Sequence, residues 1–177
     1  SGGAAAMVLE SFDSAKKRGA KILGEVVSYA FSSDGNHISI PSPEGLASCM
    51  GRALKQAGVK AAEIDYICAH ATSTPVGDAV EAEAIRKVFQ EARPWISSLK
   101  SMTGHELWMS GASQVVYSVI MAQEGFIAPN INFKNPDPGW EDLNIVRETV
   151  PRPPRQVLCN SAGFGGTNSC LILRFEG

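Results

Sequence analysis

The 177 residues carry 16 Lys and Arg against 18 Asp and Glu, a net charge of −2, and 44% of them are apolar. A chain of this length can bury a core as one domain, and its charge balance excludes the electrostatic footprint of a nucleic-acid binder or a polybasic membrane patch. Cys49, Cys68, Cys159 and Cys170 form no CxxC pair and stand at no metal-ligand spacing with a histidine, which argues against a metal site and for free thiols in a reducing, cytoplasmic setting.

In chain order, Ala5–Glu10 and Ile22–Tyr29 read as strands, separated by a turn at Lys16-Lys17-Arg18-Gly19. The start at Ser1 reads as a chain cut into, with no signal-peptide pattern. Residues 31–43, rich in Ser, Asp, Gly, Asn and Pro, predict a loop. From Glu44, Leu46, Cys49, Met50, Ala53, Leu54 and Ala57 recur at helical spacing, and Gly58 ends the helix. Ile64–Ala69 is a short apolar strand. A second helix opens at Pro75 with an apolar face of Val80, Ala84, Ile85 and Val88, with Asp78 read as its N-cap and Glu81 as capping-box partner.

Trp95–Ser98 predicts another strand. His105–Ala122 is so apolar that it reads as one buried central helix, and the longest apolar run, around Val115–Ala122, is too short to span a bilayer. A Pro/Asn/Asp loop covers residues 130–141, and strands at Val157–Asn160 and Ser169–Phe175 flank a glycine-rich segment. Strands alternating with helices predict a layered α/β fold.

Three stretches carry candidate chemistry. His70-Ala71-Thr72-Ser73-Thr74 leaves the end of a strand, where α/β folds place active sites, and combines a histidine with three hydroxyls; on spacing alone it is equally a satisfied turn histidine. Lys100-Ser101-Met102-Thr103-Gly104-His105 puts His105 at the start of the buried helix. The helix dipole and burial there hold an imidazole neutral, able to donate to an oxyanion. A buried Lys100 needs a carboxylate, and Glu81 is the candidate. Asn160 through Asn168 contains Gly163-Phe164-Gly165-Gly166, whose amides suit either an oxyanion hole or a plain hairpin. No GK[ST] follows it, which excludes a phosphate loop. His37 reads as an exposed loop residue, and Asp137, Glu141 and Asp142 as a solvated cluster with no metal.

In this order the three stretches resemble the segments HGTSTPxGD, KSMTGH and NSFGFGGTN of the elongating β-ketoacyl-acyl-carrier-protein synthases of the thiolase superfamily. The resemblance runs over essentially all of residues 1–177, as the carboxyl-terminal domain, half of a thiolase-like fold with a mixed sheet of five strands and a buried central helix. It implies decarboxylative Claisen condensation of malonyl units in fatty acid or type II polyketide elongation. His70 and His105 would stabilise the enolate, with Lys100 and Glu81 as the supporting pair. Thr72 and Thr74 would hold phosphopantetheine, and Phe164 would gate the acyl pocket between the hinges Gly163 and Gly165. No metal or prosthetic group is implied, since phosphopantetheine arrives on the acyl carrier protein.

The family's nucleophilic cysteine lies in a DTACSS-like segment of the first half, and none of the four cysteines here has that setting. The expected partners are therefore an N-terminal half bearing that cysteine, the carrier protein, and a second subunit in a homodimer or ketosynthase heterodimer. Alone, the chain is expected to be inactive and to expose apolar surface. The sequence departs from the family at Ala71 for glycine, Gln114 for glutamate and Ala162 for phenylalanine, and at Glu106-Leu107-Trp108-Met109 for small residues. These point to an unusual acyl preference. The alternative from another class is a non-catalytic chain-length-factor-like partner, against which the two histidines and the lysine argue; a CoA-dependent thiolase would need a second cysteine by the glycine loop.

Overall fold

In the computed structural model, which describes residues 1–176, five strands form one mixed sheet in the order β1-β5-β4-β2-β3. Strand β1 is Glu25–Ser33, β2 Tyr66–Cys68, β3 Trp95–Ser97, β4 Gln156–Gly163 and β5 Thr167–Arg174. The β1–β5 and β5–β4 pairs are antiparallel, while β4–β2 and β2–β3 are parallel. The helices are α1 (Phe12–Lys17), α2 (Pro43–Ala57), α3 (Pro75–Phe89), α4 (Lys100–Thr103) and α5 (Ser110–Glu124).

The sheet has two apolar faces because side chains alternate along each strand. Ile67, Leu158 and Ile172 face α2 and α3, meeting Leu46, Met50, Ala53, Ile85 and Phe89. Tyr66, Cys68, Val157, Cys159 and Leu173 belong to the opposite core with Val115 and Met121 of α5. Leu46, Met50, Ile67, Leu158 and Ile172 are completely buried, and side chains of this kind contribute about 1.5–3 kcal/mol each. The predicted layered architecture is thus present. Helix α2 begins and ends as its sequence demands: Ser42 caps it by accepting from Gly45 N–H, and Gly58 closes it in the left-handed conformation.

Four local expectations are corrected. Residues 5–10 form no strand; Val8 is 94% exposed, and the segment has no ladder partner. Of the basic stretch expected as a turn, Lys16 and Lys17 close α1, which is capped by Ser11, whose Oγ accepts from Ser14 N–H, and only Arg18 and Gly19 form the turn. Strand β1 starts three residues later than predicted and runs on to Ser33, because its antiparallel ladder with β5 spans Glu25↔Arg174 to Ser33↔Thr167; the Ser28 and Ser32 hydroxyls also donate to the Ala53 and Gly45 carbonyls of α2. Thr74, with Pro75 following, occupies the N-cap of α3, which frees Asp78 to accept from Ser73 N–H and Glu81 for a different role.

The largest correction concerns the supposed helix from His105 to Ala122. Gly104 (φ 74°) ends α4, Leu107 adopts φ 56°, Leu107–Met109 makes a 3₁₀ turn, and α5 starts only at Ser110. Nor is α5 apolar all round and buried: Ser110, Ser113, Gln114 and Ser118 lie on its buried face, while Ile120 is exposed. On the same side of the sheet, Val26, Tyr29 and Phe31 of β1 are also exposed.

Candidate active site

The site forms where β2 and β3 end. Residues 70 and 71 leave β2 with every backbone polar group held. The Glu81 carboxylate, buried on α3, accepts from His70 N–H (2.8 Å) and Ala71 N–H (2.7 Å) and from the Asn160 side-chain amide (2.7 Å). Lys100 Nζ donates to His70 O (2.6 Å), and Ser98 Oγ to Ala71 O (2.9 Å). The loop is therefore fixed from both sides, by an acceptor for its N–H groups and donors for its carbonyls. The expected Lys100–Glu81 ion pair is absent from the ion pairs among the described residues. The two residues act on opposite poles of the same peptide units instead, which gives each charge a dipolar partner without direct contact.

His70 and His105 face each other with ring centroids 5.5 Å apart and planes at 86°. Burial, then the Lys100 ammonium, then His105 push His70 down to about 3. Burial foremost, followed by Lys100 and the Ser1 amino group, also lowers His105. Both imidazoles are thus neutral near pH 7. His105 has this property without standing at a helix N-terminus, contrary to expectation.

The tautomer of His105 follows from geometry. Its Nδ1 accepts the Leu107 N–H at 3.0 Å, and a backbone amide can only donate, so the ring proton resides on Nε2. The left-handed backbone of Leu107, unusual outside glycine, lies in the same turn that brings its N–H to the imidazole. Ser110 Oγ lies 3.2 Å from the same Nδ1. The Nδ1 of His70 is buried with no protein partner among the described residues.

Thr72 and Thr74 lie beside this pair on the rim, their hydroxyls 3.2 Å apart. A crevice next to His70 is lined by Pro41, Leu46, Ala71, Thr72, Gly77 and Ala162, so the space beside the histidine reaches the alanine that departs from the motif. The glycine segment is a β4–β5 hairpin. Gly163 is the last residue of β4, Phe164 is 83% exposed at the tip, and the Gly165 N–H donates to Ile38 O (2.7 Å). That amide is consequently not free for an oxyanion. Gly166 (φ 77°) must lack a side chain, because a Cβ would lie 2.8 Å from Asp34 Cβ. His37 is exposed, Asp142 pairs with Arg86, and Cys49, Cys68, Cys159 and Cys170 are free and buried.

Two participants were missed by sequence reasoning. Asn160 is completely buried and fastens Glu81 to β4; a polar residue closing an apolar strand was its signal. Ser110 was hidden in a segment read for its apolar content. Gln114 was noted only as a departure, yet it is central to the network. Its Nε2 donates to Ala69 O and Asn160 O, both at 3.1 Å, and its Oε1 accepts from Ser161 Oγ (3.1 Å).

The site thus sets two imidazoles face to face beside an ammonium fixed on the His70 carbonyl, an arrangement able to donate hydrogen bonds to a developing negative charge. The chain belongs to the β-ketoacyl synthase family: the family description "Beta-ketoacyl synthase, C-terminal domain" matches residues 23–134. It is 46% identical over 173 residues to 3-oxoacyl-[acyl-carrier-protein] synthase 1 of Escherichia coli (strain K12), with 98% of this chain and 42% of that protein covered. Among solved structures, the ishigamide ketosynthase/chain length factor is similar at a TM-score of 0.89 and 38% identity, over 95% of this chain and 42% of that one. A type II polyketide acyl-carrier protein in complex with its ketosynthase bound to the hexaketide gives 0.89 and 34%, over 95% and 42%. The fold is accordingly that of the thiolase-like ketosynthases, and the chain spans about two fifths of the length of these relatives.

Proposed function

We propose that this chain supplies the enolate-stabilising half of a β-ketoacyl-acyl-carrier-protein synthase. The observation that carries the reading is the pair of neutral histidines, His70 and His105, held 5.5 Å apart with the proton of His105 on Nε2. A malonyl thioester bound between them loses carbon dioxide as its Cα–carboxylate bond breaks. The electron pair passes into the enolate, whose negative charge gathers on the thioester oxygen, where N–H donors of both imidazoles stabilise it. The enolate carbon then attacks the carbonyl of an acyl group held as a thioester on a cysteine. A carbon–carbon bond forms, the cysteine leaves as thiolate, and the product is a β-ketoacyl thioester. Neutral imidazoles suit this better than cations, because an imidazolium at Nδ1 would oppose the Leu107 N–H. The Lys100 ammonium, bonded to His70 O, adds positive potential without touching the reacting atoms.

The cysteine belongs to an N-terminal half. All four cysteines of this chain are buried away from solvent, and the exposed Val26, Tyr29, Phe31 and Ile120 form an apolar surface suited to such a partner. The malonyl and acyl groups arrive on the phosphopantetheine of an acyl carrier protein, with Thr72 and Thr74 at the rim to hold the arm and Phe164 on its hairpin to close over the acyl chain. No metal or prosthetic group of the protein enters the reaction. Assembly as a homodimer or a ketosynthase heterodimer, in the cytoplasm, completes the reading. Four free thiols fit that compartment, and among the described residues no helix is long and apolar enough to cross a membrane. A chain-length-factor role is disfavoured, because such a subunit has no need of two neutral, oriented imidazoles.

The test is condensation by the intact synthase containing this chain. Acyl- and malonyl-carrier proteins are supplied and the carrier products read by mass spectrometry. A β-ketoacyl carrier longer by two carbons, formed with release of carbon dioxide, is expected. Transfer of the acyl group without carbon dioxide release would overturn the proposal.

A further inference from the structure

We propose that Ser110 is a positioning residue of this site, its hydroxyl acting with the Leu107 N–H to hold the His105 ring as the Nε2–H donor. Ser110 is the first residue of α5 and is buried, and His105 Nδ1 at 3.2 Å is the hydrogen-bond partner of its Oγ among the described residues. Because the Leu107 N–H already requires Nδ1 to be an acceptor, the Ser110 hydroxyl must donate to it. Two donors then converge on one ring nitrogen, one from a strained connector and one from the helix that follows. A ring held by the connector alone could rock about that single bond; the second donor fixes its plane.

The same face of α5 also reaches the other histidine. Gln114 stands four residues on, one turn along the helix and on one face with Ser110. Its amide bonds the carbonyl of Ala69, the residue before His70, and that of Asn160, whose side chain secures Glu81 beneath His70. A single helix face therefore sets His105 through Ser110 and the strand end carrying His70 through Gln114. The spacing of the two rings becomes a property of a rigid element rather than of two loops. The charged and titratable groups facing His105 are Lys100 from α4, His70 from the loop after β2, Glu106 from the connector and the amino group of Ser1 from the N-terminal segment. Along α5, Ser110–Glu124, the sole charged residue is Glu124 at the far end, so the local influence of α5 on His105 is the neutral hydroxyl.

The inference rests on the proposed function for its kinetic consequence but not for its structural one, and the test separates the two. In the intact synthase, Ser110→Ala removes the hydroxyl without added bulk, while Ser110→Thr keeps the hydroxyl and Ser110→Val is the hydroxyl-free counterpart of threonine with the same shape. Two quantities are measured: the titration of the His105 imidazole by nitrogen NMR, and the pH profile of malonyl-carrier decarboxylation. Loss of one neutral donor lowers kcat about three- to tenfold with KM unchanged. It also moves the His105 titration and the acid limb of the profile to higher pH, because the unprotonated Nδ1 loses a stabilising partner. Threonine restores both. Valine and alanine variants with the wild-type titration and profile would overturn the inference and reduce Ser110 to a space-filler. If His105→Ala left decarboxylation intact while Ser110→Val still shifted the His105 titration, the proposed function would fall and the positioning role would stand.

Discussion

Glu81→Gln is the sharpest single perturbation of this site, because it changes one atom and keeps the shape. The carboxylate accepts three hydrogen bonds at 2.7–2.8 Å in a buried position: His70 N–H and the Asn160 amide on Oε1, and Ala71 N–H on Oε2. Glutamine can replace Oε1, but its NH₂ then faces the Ala71 N–H, donor against donor. The variant loses one charge-assisted bond, strands a buried donor, and weakens the other two bonds. At about 1–3 kcal/mol for a stranded buried donor, with hydrogen bonds to charged groups worth about 1.5–3, the cost is roughly 3 kcal/mol. Glu81→Ala strands all three donors and costs roughly 4–7 kcal/mol on the same scale. The assay is urea unfolding of the intact synthase, taking the loss from the midpoint at unchanged slope. Malonyl decarboxylation is followed in parallel, since a loosened residue 70 backbone misplaces its ring. A Glu81→Gln protein within about 0.5 kcal/mol of wild type, the range of an ordinary surface substitution, would refute the account of this carboxylate.

Three further outcomes follow from the same geometry. His70 takes up its proton at about 3 when folded and near 6.5 when unfolded. Stability is therefore full above pH 6.5 and falls below it at about 1.4 kcal/mol per pH unit. His70→Asn removes that slope, so urea midpoints measured at pH 7 and pH 5 diverge from wild type by about 2 kcal/mol between them; parallel pH dependences would refute it. Gln114→Leu leaves the Ala69 and Asn160 carbonyls without this donor and costs about 2–4 kcal/mol by the same unfolding assay, whereas a neutral effect would show that the amide is dispensable. Ala162→Phe fills the crevice beside His70 and Leu46. The account expects shorter acyl products by mass spectrometry of the carrier species, and an unchanged product distribution would mean that the crevice holds no part of the acyl chain.

Much of the fold was legible because strong local signals agreed with the tertiary arrangement. Ser42, Pro43 and Gly58 mark α2, and the unbroken apolar run Val157, Leu158 and Cys159 marks a strand buried on both faces. Legibility failed where a long-range partner decided. Residues 5–10 carry an apolar run but have no neighbouring strand, and β1 is extended to Ser33 by its ladder with β5, a partner distant in sequence that no local pattern encodes.

At the site, both histidines, Lys100 and Glu81 were visible as residue types in motifs. Their wiring was not. Glu81 and Lys100 were expected to meet and instead grip opposite poles of the peptide joining His70 to Ala71. Residues 104–109 have helical-looking apolar content, yet the Leu107 N–H prefers an imidazole nitrogen to a helical carbonyl, and the chain departs from helix to reach it. A hydrogen bond between a side chain and a backbone amide two residues away leaves no periodicity to read.

The central claim, that His70 and His105 together carry the charge of the enolate, is tested most directly by decarboxylation of malonyl-carrier protein in the intact synthase with each histidine replaced in turn by alanine. Removing one preorganised oxyanion donor costs about 10²–10³ in rate, and the account predicts a loss of that size for each variant. Retention of decarboxylation within a few-fold of wild type by either variant would contradict it.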